Sequence, residues 1–251
     1  MPLALPTESI KTESIDAETN KVEAVKNEAL FFGLSLNDFQ CRQIVSYLSL
    51  LRKWDRKVNL TGIRSDAEAI RVHFLESIFA AEQLAPRQLR LVDVGAGAGF
   101  PGLAMKIVRP EFRTVLLDSR KKKVLFQREV IRRLDLKHVV AYPLRLQEGA
   151  VFLRQADVVC WRGLRLEGKD FEFLKSNTSA QCLYLCFQGE GQATERRLEG
   201  CVIEKVPIPR SKGRTLLLAR KKAAELHQST VARSDNKRVS WLDDFVVGDG
   251  S

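Results

Sequence analysis

Apolar residues in the first third of the chain recur with a helical period, and those after it form short runs. Between residues 21 and 86 they lie three or four positions apart, which predicts helices. Ser35 or Asn37 is placed to cap one of these helices, and Ser65-Asp66-Ala67-Glu68 has the order of a capping box. Residues 1–20 are polar and rich in Thr, Ser and Glu, so we expect them to be disordered.

The short apolar runs predict seven strands. They are Leu89–Asp93, Thr114–Asp118, Val139–Tyr142, Asp157–Trp161, Gln181–Phe187, Cys201–Ile208 and Arg214–Arg220. The first five alternate with helical segments, which is typical of a parallel sheet. The last two are separated by Pro209-Arg210-Ser211-Lys212-Gly213 and predict an antiparallel hairpin. We therefore expect an α/β fold with a Rossmann-like, mostly parallel sheet, an antiparallel terminal hairpin and N-terminal helices.

The most informative local pattern is the run Asp93-Val94-Gly95-Ala96-Gly97-Ala98-Gly99-Phe100-Pro101-Gly102. It joins a predicted strand to a short apolar helix, and its glycines allow a tight turn that a ligand can approach. A strand, a glycine turn and a helix N-terminus together indicate a nucleotide-type site. Asp118 ends the second strand, where a carboxylate suits the ribose hydroxyls of a bound nucleoside.

Two cofactors are compatible with this run. Gly97, Gly99 and Gly102 satisfy G-x-G-x-x-G, the dinucleotide fingerprint, with Asp118 at about the distance expected for it. Counted from Asp93, the same residues have the order acidic-x-Gly-x-Gly-x-Gly, which is the first motif of methyltransferases that use S-adenosylmethionine. The predicted terminal hairpin is usual for such methyltransferases and unusual for dehydrogenases. The glycines alone leave the choice open.

Charge adds a second indication. The net charge is +10, and residues 1–38 hold three Lys against seven Asp or Glu, so the excess of positive charge lies in the rest of the chain. Residues 120–137 hold eight Lys or Arg against two acidic residues, and residues 205–222 hold seven against none. Such clusters favour a polyanion, because neutralising phosphates releases counterions. We expect RNA or a ribonucleoprotein as the partner.

Other features exclude several classes of protein. No segment has the roughly 18 consecutive apolar residues of a membrane span, and residues 1–20 lack the order of a signal peptide. The five cysteines are Cys41, Cys160, Cys182, Cys186 and Cys201; they lie in apolar runs without the spacing of a zinc site. We expect a cytoplasmic protein with reduced, structural cysteines, no metal and no membrane partner.

Several motifs in order resemble one known family. The glycine run, then Leu116-Leu117-Asp118-Ser119, Lys121-Lys122-Lys123 and Phe126, is similar to the bacterial 16S ribosomal RNA guanine-N7 methyltransferases, the glucose-inhibited division protein B family. Upstream, Trp54, Asn59-Leu60-Thr61 and His73-Phe74-Leu75-Glu76-Ser77 resemble that family's N-terminal helical region. The resemblance runs from about Trp54 to Arg162, continues more weakly through the hairpin and stops before the final tail. Together with the patterning along the chain, we expect an N-terminal helical region over 21–86, a methyltransferase domain over 87–222 and a polar tail over 223–251.

The resemblance also implies a set of residues that bind S-adenosylmethionine. They are Gly95, Gly97, Gly99, Phe100, Asp118, Leu146, Gln147 and Arg162. The family's Arg-x-Glu stretch is Arg145-Leu146-Gln147 here, so its glutamate is replaced by Gln147, with Glu148 next to it. The family's Ser-Arg-Ala is Trp161-Arg162-Gly163, in which only the arginine matches. Asp93 is a further candidate, to anchor the amino group of the methyl donor.

The implied reaction is methyl transfer from S-adenosylmethionine to N7 of a guanine in 16S ribosomal RNA or in the small ribosomal subunit. Guanine N7 has an in-plane lone pair and no hydrogen to lose, so no general base and no catalytic nucleophile are needed. Positioning of the reactants accounts for such catalysis. Two alternatives remain, an NAD-dependent oxidoreductase and a non-catalytic RNA-binding protein with a relic cofactor pocket.

Overall fold

The computed structural model describes residues 7–63, 65–190, 194 and 198–222, with side chains from residue 18 onward. Residues 1–6 of the segment expected to be disordered lie outside this part, and so does the polar tail over 223–251. Within the described residues, no helix combines the length and the apolar character that crossing a bilayer requires.

Helix α1 (Thr7–Phe31) gives residues 7–20 a helical backbone, which differs from the disorder expected there. Helix α1 as a whole contains neither Gly nor Pro, and its five Glu, three Lys and three Ala all favour helix. Val25 and Ala29 are fully buried in the core and fix the C-terminal half of the helix. The helical backbone of residues 7–20 thus continues, toward the N-terminus, the part of α1 that packs on the core.

Helix α2 (Asp38–Asp55) begins at a capping box. The side-chain oxygen of Asn37 accepts a hydrogen bond from the N–H of Gln40 at 2.9 Å, and the side-chain oxygen of Gln40 accepts one from the N–H of Asn37 at 3.0 Å. Both donors would otherwise have no partner at the helix start. Asn37, not Ser35, is thus the cap.

A continuous helical stretch follows, made of α3 (Asp66–Ala69), a π-helical segment (Ile70–Leu75) and α4 (Glu76–Glu82). The hydroxyl of Ser65 accepts a hydrogen bond from the N–H of Glu68 at 3.5 Å, so the capping residue is the one that the pattern predicts. The π-helical segment carries His73, and wider turns of this kind often occur at functional sites.

Seven strands form a single sheet: β1 (Arg90–Val94), β2 (Arg113–Leu117), β3 (Val139–Tyr142), β4 (Val158–Trp161), β5 (Leu183–Gln188), β6 (Cys201–Pro207) and β7 (Thr215–Lys221). Their order is β3-β2-β1-β4-β5-β7-β6. Strand β7 is antiparallel to β5 and β6, and the other neighbours are parallel. The predicted fold, a mostly parallel sheet with an antiparallel terminal hairpin, is confirmed.

Helices cover both faces of this sheet. The remaining helices are α5 (Gly102–Val108), α6 (Lys121–Arg133), α7 (Ala150–Leu153) and α8 (Gly168–Asn177), with a 3-10 turn at Gln147–Gly149. Leu91 and Leu116 pack in one hydrophobic cluster with α1, α2, α4, α5 and α6, whereas Val92 and Val115 pack in another with α7 and α8. Because successive side chains of a strand point to opposite faces, both kinds of position must be apolar.

The topology places a crevice at the carboxyl ends of the central strands. Strand β1 lies between β2 and β4, so the chain proceeds in one direction from β1 to β3 and in the other from β4 onward. Ligands of open α/β sheets bind where the strand order reverses in this way. All five cysteines are buried.

Candidate functional site

The glycine turn after β1 is held against the end of β2. The N–H groups of Gly95 and Ala96 both donate to the carbonyl of Leu117, at 2.8 and 3.0 Å. Gly95 and Gly97 have φ values of +69° and +60°, in the left-handed region that favours glycine. A Cβ atom on Gly95 would also lie 2.9 Å from Cδ2 of Leu164. The turn therefore requires glycine at these two positions.

Asp118 joins this turn to helix α6. One carboxylate oxygen accepts a hydrogen bond from the N–H of Gly97 at 2.8 Å, and the other accepts one from the N–H of Arg120 at 2.9 Å. The residue is 7% exposed and lines the crevice. The N-cap of helix α6 is Arg120, whose side chain makes no capping hydrogen bond. A carboxylate has room for further donors, so Asp118 can still accept from ribose hydroxyls.

The crevice has two adjoining compartments. The first, called the ring compartment, has a volume of about 460 Å³ and is lined by Thr61, His73, Phe100 and Arg162, together with the glycine turn. The second, called the leucine compartment, has a volume of about 290 Å³ and is lined by several leucines, among them Leu144, Leu146 and Leu166, and by charged residues that include Arg145, Arg165 and Asp170. Gly95, Asp118, Ser119 and Leu164 line both compartments. Sizes of this order suit small ligands.

Phe100 forms the floor of the ring compartment within an aromatic stack. Its ring lies between those of Tyr47 and His73, with centroids 5.2 and 4.8 Å away and nearly parallel planes. The Tyr47 hydroxyl donates to the carbonyl of Ala98 in the glycine turn. Gly99 is not among the residues that line either compartment; a Cβ atom there would collide with the Tyr47 hydroxyl. The absence of a side chain at Gly99 thus leaves room for the Tyr47 hydroxyl that supports the turn.

His73 is held as a neutral imidazole. Its Nε2 lies 2.7 Å from the hydroxyl of Thr61, and its Nδ1 is buried without a partner among the described residues. Burial, and then the positive charges of Arg162 and Arg52, lower the pKa of His73 from its ordinary 6.5 to about 3. The ring compartment therefore carries no histidine charge at neutral pH.

Arg162 projects from the end of β4 into the ring compartment. Its Nη2 donates to Oε2 of Glu76 at 2.6 Å, and its guanidinium lies over the ring of Phe187, 4.7 Å from the centroid. Its Nη1 is buried and has no hydrogen-bond partner among the described residues. Glu76 also accepts hydrogen bonds from Arg214, on the hairpin side of the crevice.

The two residues taken from the Arg-x-Glu stretch have different surroundings. Leu146 is buried and lines the leucine compartment. Gln147 is exposed, begins the 3-10 turn and donates from its amide to Asp170 at 3.0 Å. Gln147 is not among the lining residues of that compartment, whereas its partner Asp170 is. The side chain of Gln147 is therefore linked to the crevice only through its hydrogen bond to Asp170.

Asp93 lies below the glycine turn and outside the residues that line the two compartments. One of its oxygens accepts a hydrogen bond from the N–H of Gly102 at 2.8 Å, and the other is buried without a partner among the described residues. Burial raises the pKa of Asp93 from 3.8 to about 7. These contacts indicate that Asp93 stabilises the start of α5. They do not support the role expected from the sequence, in which Asp93 anchors the amino group of the methyl donor.

Sequence reasoning missed several residues that hold this site together. Gln127 is fully buried on α6, and its amide donates to the carbonyl of Gly97 at 2.8 Å. Leu164 forms the wall between the compartments. The role of Glu76 could have been predicted, because a carboxylate on the buried face of a helix requires a cationic partner. The role of Gln127 could not, because a single glutamine in a basic helix ordinarily faces solvent.

A basic groove adjoins the ring compartment. It is lined by Lys57, Val58, Asn59, Arg120, Lys121, Lys122 and Lys123, and its volume is about 460 Å³. Arg120 and Lys123 also line the ring compartment, so the two are continuous. In the described part of the chain, no group of three or more His, Cys, Asp or Glu side chains is arranged to hold a metal ion.

Comparisons with known proteins add independent findings. A family model described as GidB, rRNA small subunit methyltransferase G, matches residues 40–206. The ribosomal RNA small subunit methyltransferase G of Acetivibrio thermocellus is 44% identical over 120 residues, which cover 48% of this chain and 50% of that protein. The protein of the same name from Roseiflexus sp. is 34% identical over 218 residues, which cover 82% of this chain and 93% of that protein.

The fold has counterparts among solved structures. A structure described as a SAM dependent methyltransferase from Aquifex aeolicus aligns with a TM-score of 0.52 at 16% identity. The alignment covers 68% of this chain and 97% of that one. At this identity the likeness concerns the fold alone.

Proposed function

We propose that this chain, which belongs to the GidB family of rRNA small subunit methyltransferase G, transfers a methyl group from S-adenosylmethionine to N7 of a guanine in 16S ribosomal RNA. The observation that carries the proposal is the continuity of three features. The carboxylate at the glycine turn, the ring compartment and the basic groove form one path along the carboxyl edge of the sheet.

The residues present fit S-adenosylmethionine. Asp118 retains acceptor capacity for two ribose hydroxyls, and the leucine compartment beside it offers leucine side chains against which an adenine ring can pack. The glycine turn lets the cofactor approach the backbone where a Cβ would collide. When bound, the cofactor supplies a methyl group that is already activated by its positively charged sulfur. Gly95, Gly97, Asp118 and Leu146 are the residues that we propose to contact it.

The ring compartment is the proposed place for the target guanine. It adjoins the leucine compartment through Gly95 and Leu164, so a base held there faces the donor side of the crevice. Phe100 and His73 offer a stacked aromatic surface, and the neutral imidazole adds no charge that would repel a cationic donor. Neither residue has to remove a proton, because guanine N7 has none. Their role is to hold the base in line and to exclude water.

The basic groove is the proposed RNA entry. The lysines at the start of α6 and Lys57 at the end of α2 face the same groove beside the ring compartment. In A-form RNA the edge that bears N7 faces a deep, narrow groove. The target base must therefore lie in a loop or be extruded from its stack, and the lysines would hold the neighbouring phosphates. A cytoplasmic location follows from this substrate and is part of the proposal.

Two measurements test the activity. Calorimetric titration of the purified protein with S-adenosylmethionine and with NAD separates the methyltransferase from an oxidoreductase; we expect saturable heat with the first only. Incubation with labelled S-adenosylmethionine and small ribosomal subunits then separates an enzyme from a non-catalytic RNA-binding protein. Label incorporated into the RNA supports the proposal. Binding of NAD alone, or cofactor binding without methyl transfer to subunits or to free 16S RNA, would overturn it.

A further inference from the structure

The glycine turn contains one peptide group whose hydrogen-bonding atoms the turn itself does not use. The N–H of Gly99 donates to the carbonyl of Ala96 at 2.7 Å, so residues 96–99 form a β-turn. The peptide group between Gly97 and Ala98 lies at the centre of this turn. Its carbonyl and its N–H point in opposite directions, because the peptide bond is planar and trans. A contact that fixes the carbonyl of Gly97 therefore also fixes the direction of the Ala98 N–H.

Gln127, on helix α6, holds this carbonyl. Its side chain is fully buried, and its Nε2 donates to the carbonyl oxygen of Gly97 at 2.8 Å. Its Oε1 is buried too and makes no hydrogen bond within the described part of the chain. An unpaired buried oxygen costs stability and offsets part of what the amide contributes through its donor. The main effect of the amide is therefore on the direction of the central peptide group.

The N–H of Ala98 lies on the face of the turn that is turned away from Gln127. The other N–H groups of residues 95–100 donate to Leu117, Asp118 or Ala96. That of Ala98 has no acceptor among the residues that the structure describes. Ala98 lines the ring compartment. Because a backbone N–H in a folded protein ordinarily has an acceptor, this one is available to a ligand in the crevice.

The surroundings of this N–H favour an anion. Arg120, Lys123 and Arg162 line the ring compartment, and Asp118 is the one acidic residue among the described residues that line it. The ammonium nitrogen of Lys123 lies 3.7 Å from the position of a Cβ atom built on Gly97. The anionic group of S-adenosylmethionine is the carboxylate of its amino-acid arm. This arm is attached to the sulfur, which has to face the target base, so it reaches the ring compartment where that base is proposed to lie.

We propose that Gln127 is a positioning residue of the donor site, which holds the carbonyl of Gly97 so that the N–H of Ala98 donates to the carboxylate of S-adenosylmethionine. The proposal rests on the proposed function, because it takes S-adenosylmethionine to be the donor. Gln127 acts only through the peptide group, since it is absent from the lining of both compartments. Hydrogen bonds to a carboxylate are stronger than those between neutral groups. Removal of the Gln127 amide should therefore weaken the binding of ligands that carry this carboxylate.

The test compares Gln127→Met with Gln43→Met. Methionine keeps an unbranched side chain of similar length and lacks the amide. Gln43 is the matched control, because its buried amide also donates to a carbonyl of α6, that of Leu134 at the far end of the helix, at 3.3 Å. Calorimetry would give the dissociation constants of S-adenosylmethionine and of its decarboxylated analogue, which lacks only the carboxylate.

We expect Gln127→Met to bind S-adenosylmethionine about tenfold more weakly than the wild type does, the loss of one hydrogen bond to a charged group. Its affinity for the decarboxylated analogue should be unchanged, and Gln43→Met should bind both ligands as the wild type does. An equal loss for both ligands in Gln127→Met would overturn the proposal, since it would show a loosened turn and no specific effect on the carboxylate. Unchanged affinity for S-adenosylmethionine would overturn it too.

Nuclear magnetic resonance of the wild type tests the contact without any substitution. The amide proton of Ala98 should move downfield when S-adenosylmethionine binds, and should not move in this way with the decarboxylated analogue. The same shift with both ligands, or no shift with S-adenosylmethionine, would contradict the proposed contact. A wild-type protein that binds no S-adenosylmethionine would instead refute the proposed function.

Discussion

The carboxylate of Asp118 accepts a hydrogen bond from the backbone N–H of Gly97 at 2.8 Å, across 21 positions of the chain. This bond ties the carboxyl end of β2 to the glycine turn that follows β1. The carboxylate of Asp118 thus both shapes the turn and lines the two compartments. The residue that we propose to bind the ribose is therefore also one that holds the glycine turn in place.

The substitution Asp118→Asn should weaken the binding of S-adenosylmethionine about fivefold, since a hydrogen bond to a charged group exceeds one to a neutral group by about 1 kcal/mol. The amide oxygen can still accept from Gly97, so the turn should persist. Calorimetry measures the affinity. Asp135→Asn, at an exposed position after α6, is the matched control and should behave as the wild type. Equal affinity in both variants would remove Asp118 from the donor site.

The substitution Gly95→Ala should reduce the affinity for S-adenosylmethionine in addition to destabilising the fold. Its φ of +69° costs an alanine about 1–2 kcal/mol of stability, and its Cβ would press on Leu164. Gly33 has a φ of +71° and no atom within 4 Å of the equivalent Cβ position. Both alanine variants should lose stability in urea unfolding, Gly95→Ala more than Gly33→Ala because of Leu164, but only Gly95→Ala should lose affinity. Similar affinities for the two would contradict a role of the turn in the donor site.

The double substitution Lys121→Gln and Lys122→Gln should weaken RNA binding and flatten its salt dependence. Each lost phosphate contact should reduce the slope of log K against log salt by about 0.7, the value for single strands. Lys123 is left in place because its Nζ lies near the glycine turn. Lys137→Gln with Lys169→Gln removes the same charge from other exposed positions. If both pairs change the slope equally, only net charge matters and the basic groove is not the RNA entry.

The buried carboxyl of Asp93 should make stability depend on pH. Its pKa is raised from 3.8 to about 7, so its neutral form stabilises the fold fully below about pH 4. That contribution is lost as the pH rises through 7, by up to about 4 kcal/mol. The free energy of unfolding of the wild type, minus that of Asp93→Asn, should therefore fall between pH 4 and pH 8. A difference that stays constant over this range would show that Asp93 does not titrate there.

Local patterns predicted most of the fold. Each predicted strand lies within two residues of an observed one, because both faces of the sheet are covered and every strand is an apolar run. Capping at Asn37 could also be predicted, because the hydrogen bonds of a cap join residues that are close in sequence. The helix over residues 7–20 was not predicted, because a run rich in Thr, Ser and Glu is typical of disorder and the part of α1 that packs on the core begins only after it.

The candidate site was predicted in part. The glycine turn and Asp118 were visible because a strand, a turn and a carboxylate at the end of the next strand recur in fixed order. Glu76 was not assigned a role, since its partners Arg162 and Arg214 lie 86 and 138 positions away. The orientation of Gln147 toward Asp170 was equally hidden, because a motif predicts the position of a residue and not the direction of its side chain. The contacts to the donor remain a prediction.

Mapping the methylated nucleotide in small ribosomal subunits tests the central claim most directly. Subunits incubated with the protein and S-adenosylmethionine would be treated with borohydride and aniline, which cleave RNA at N7-methylguanosine, and the ends would be located by primer extension. The account predicts one new cleavage in 16S RNA, at a guanine in a loop or an unpaired segment, that requires the protein. Methyl transfer without such cleavage, or at a base other than guanine, would contradict it.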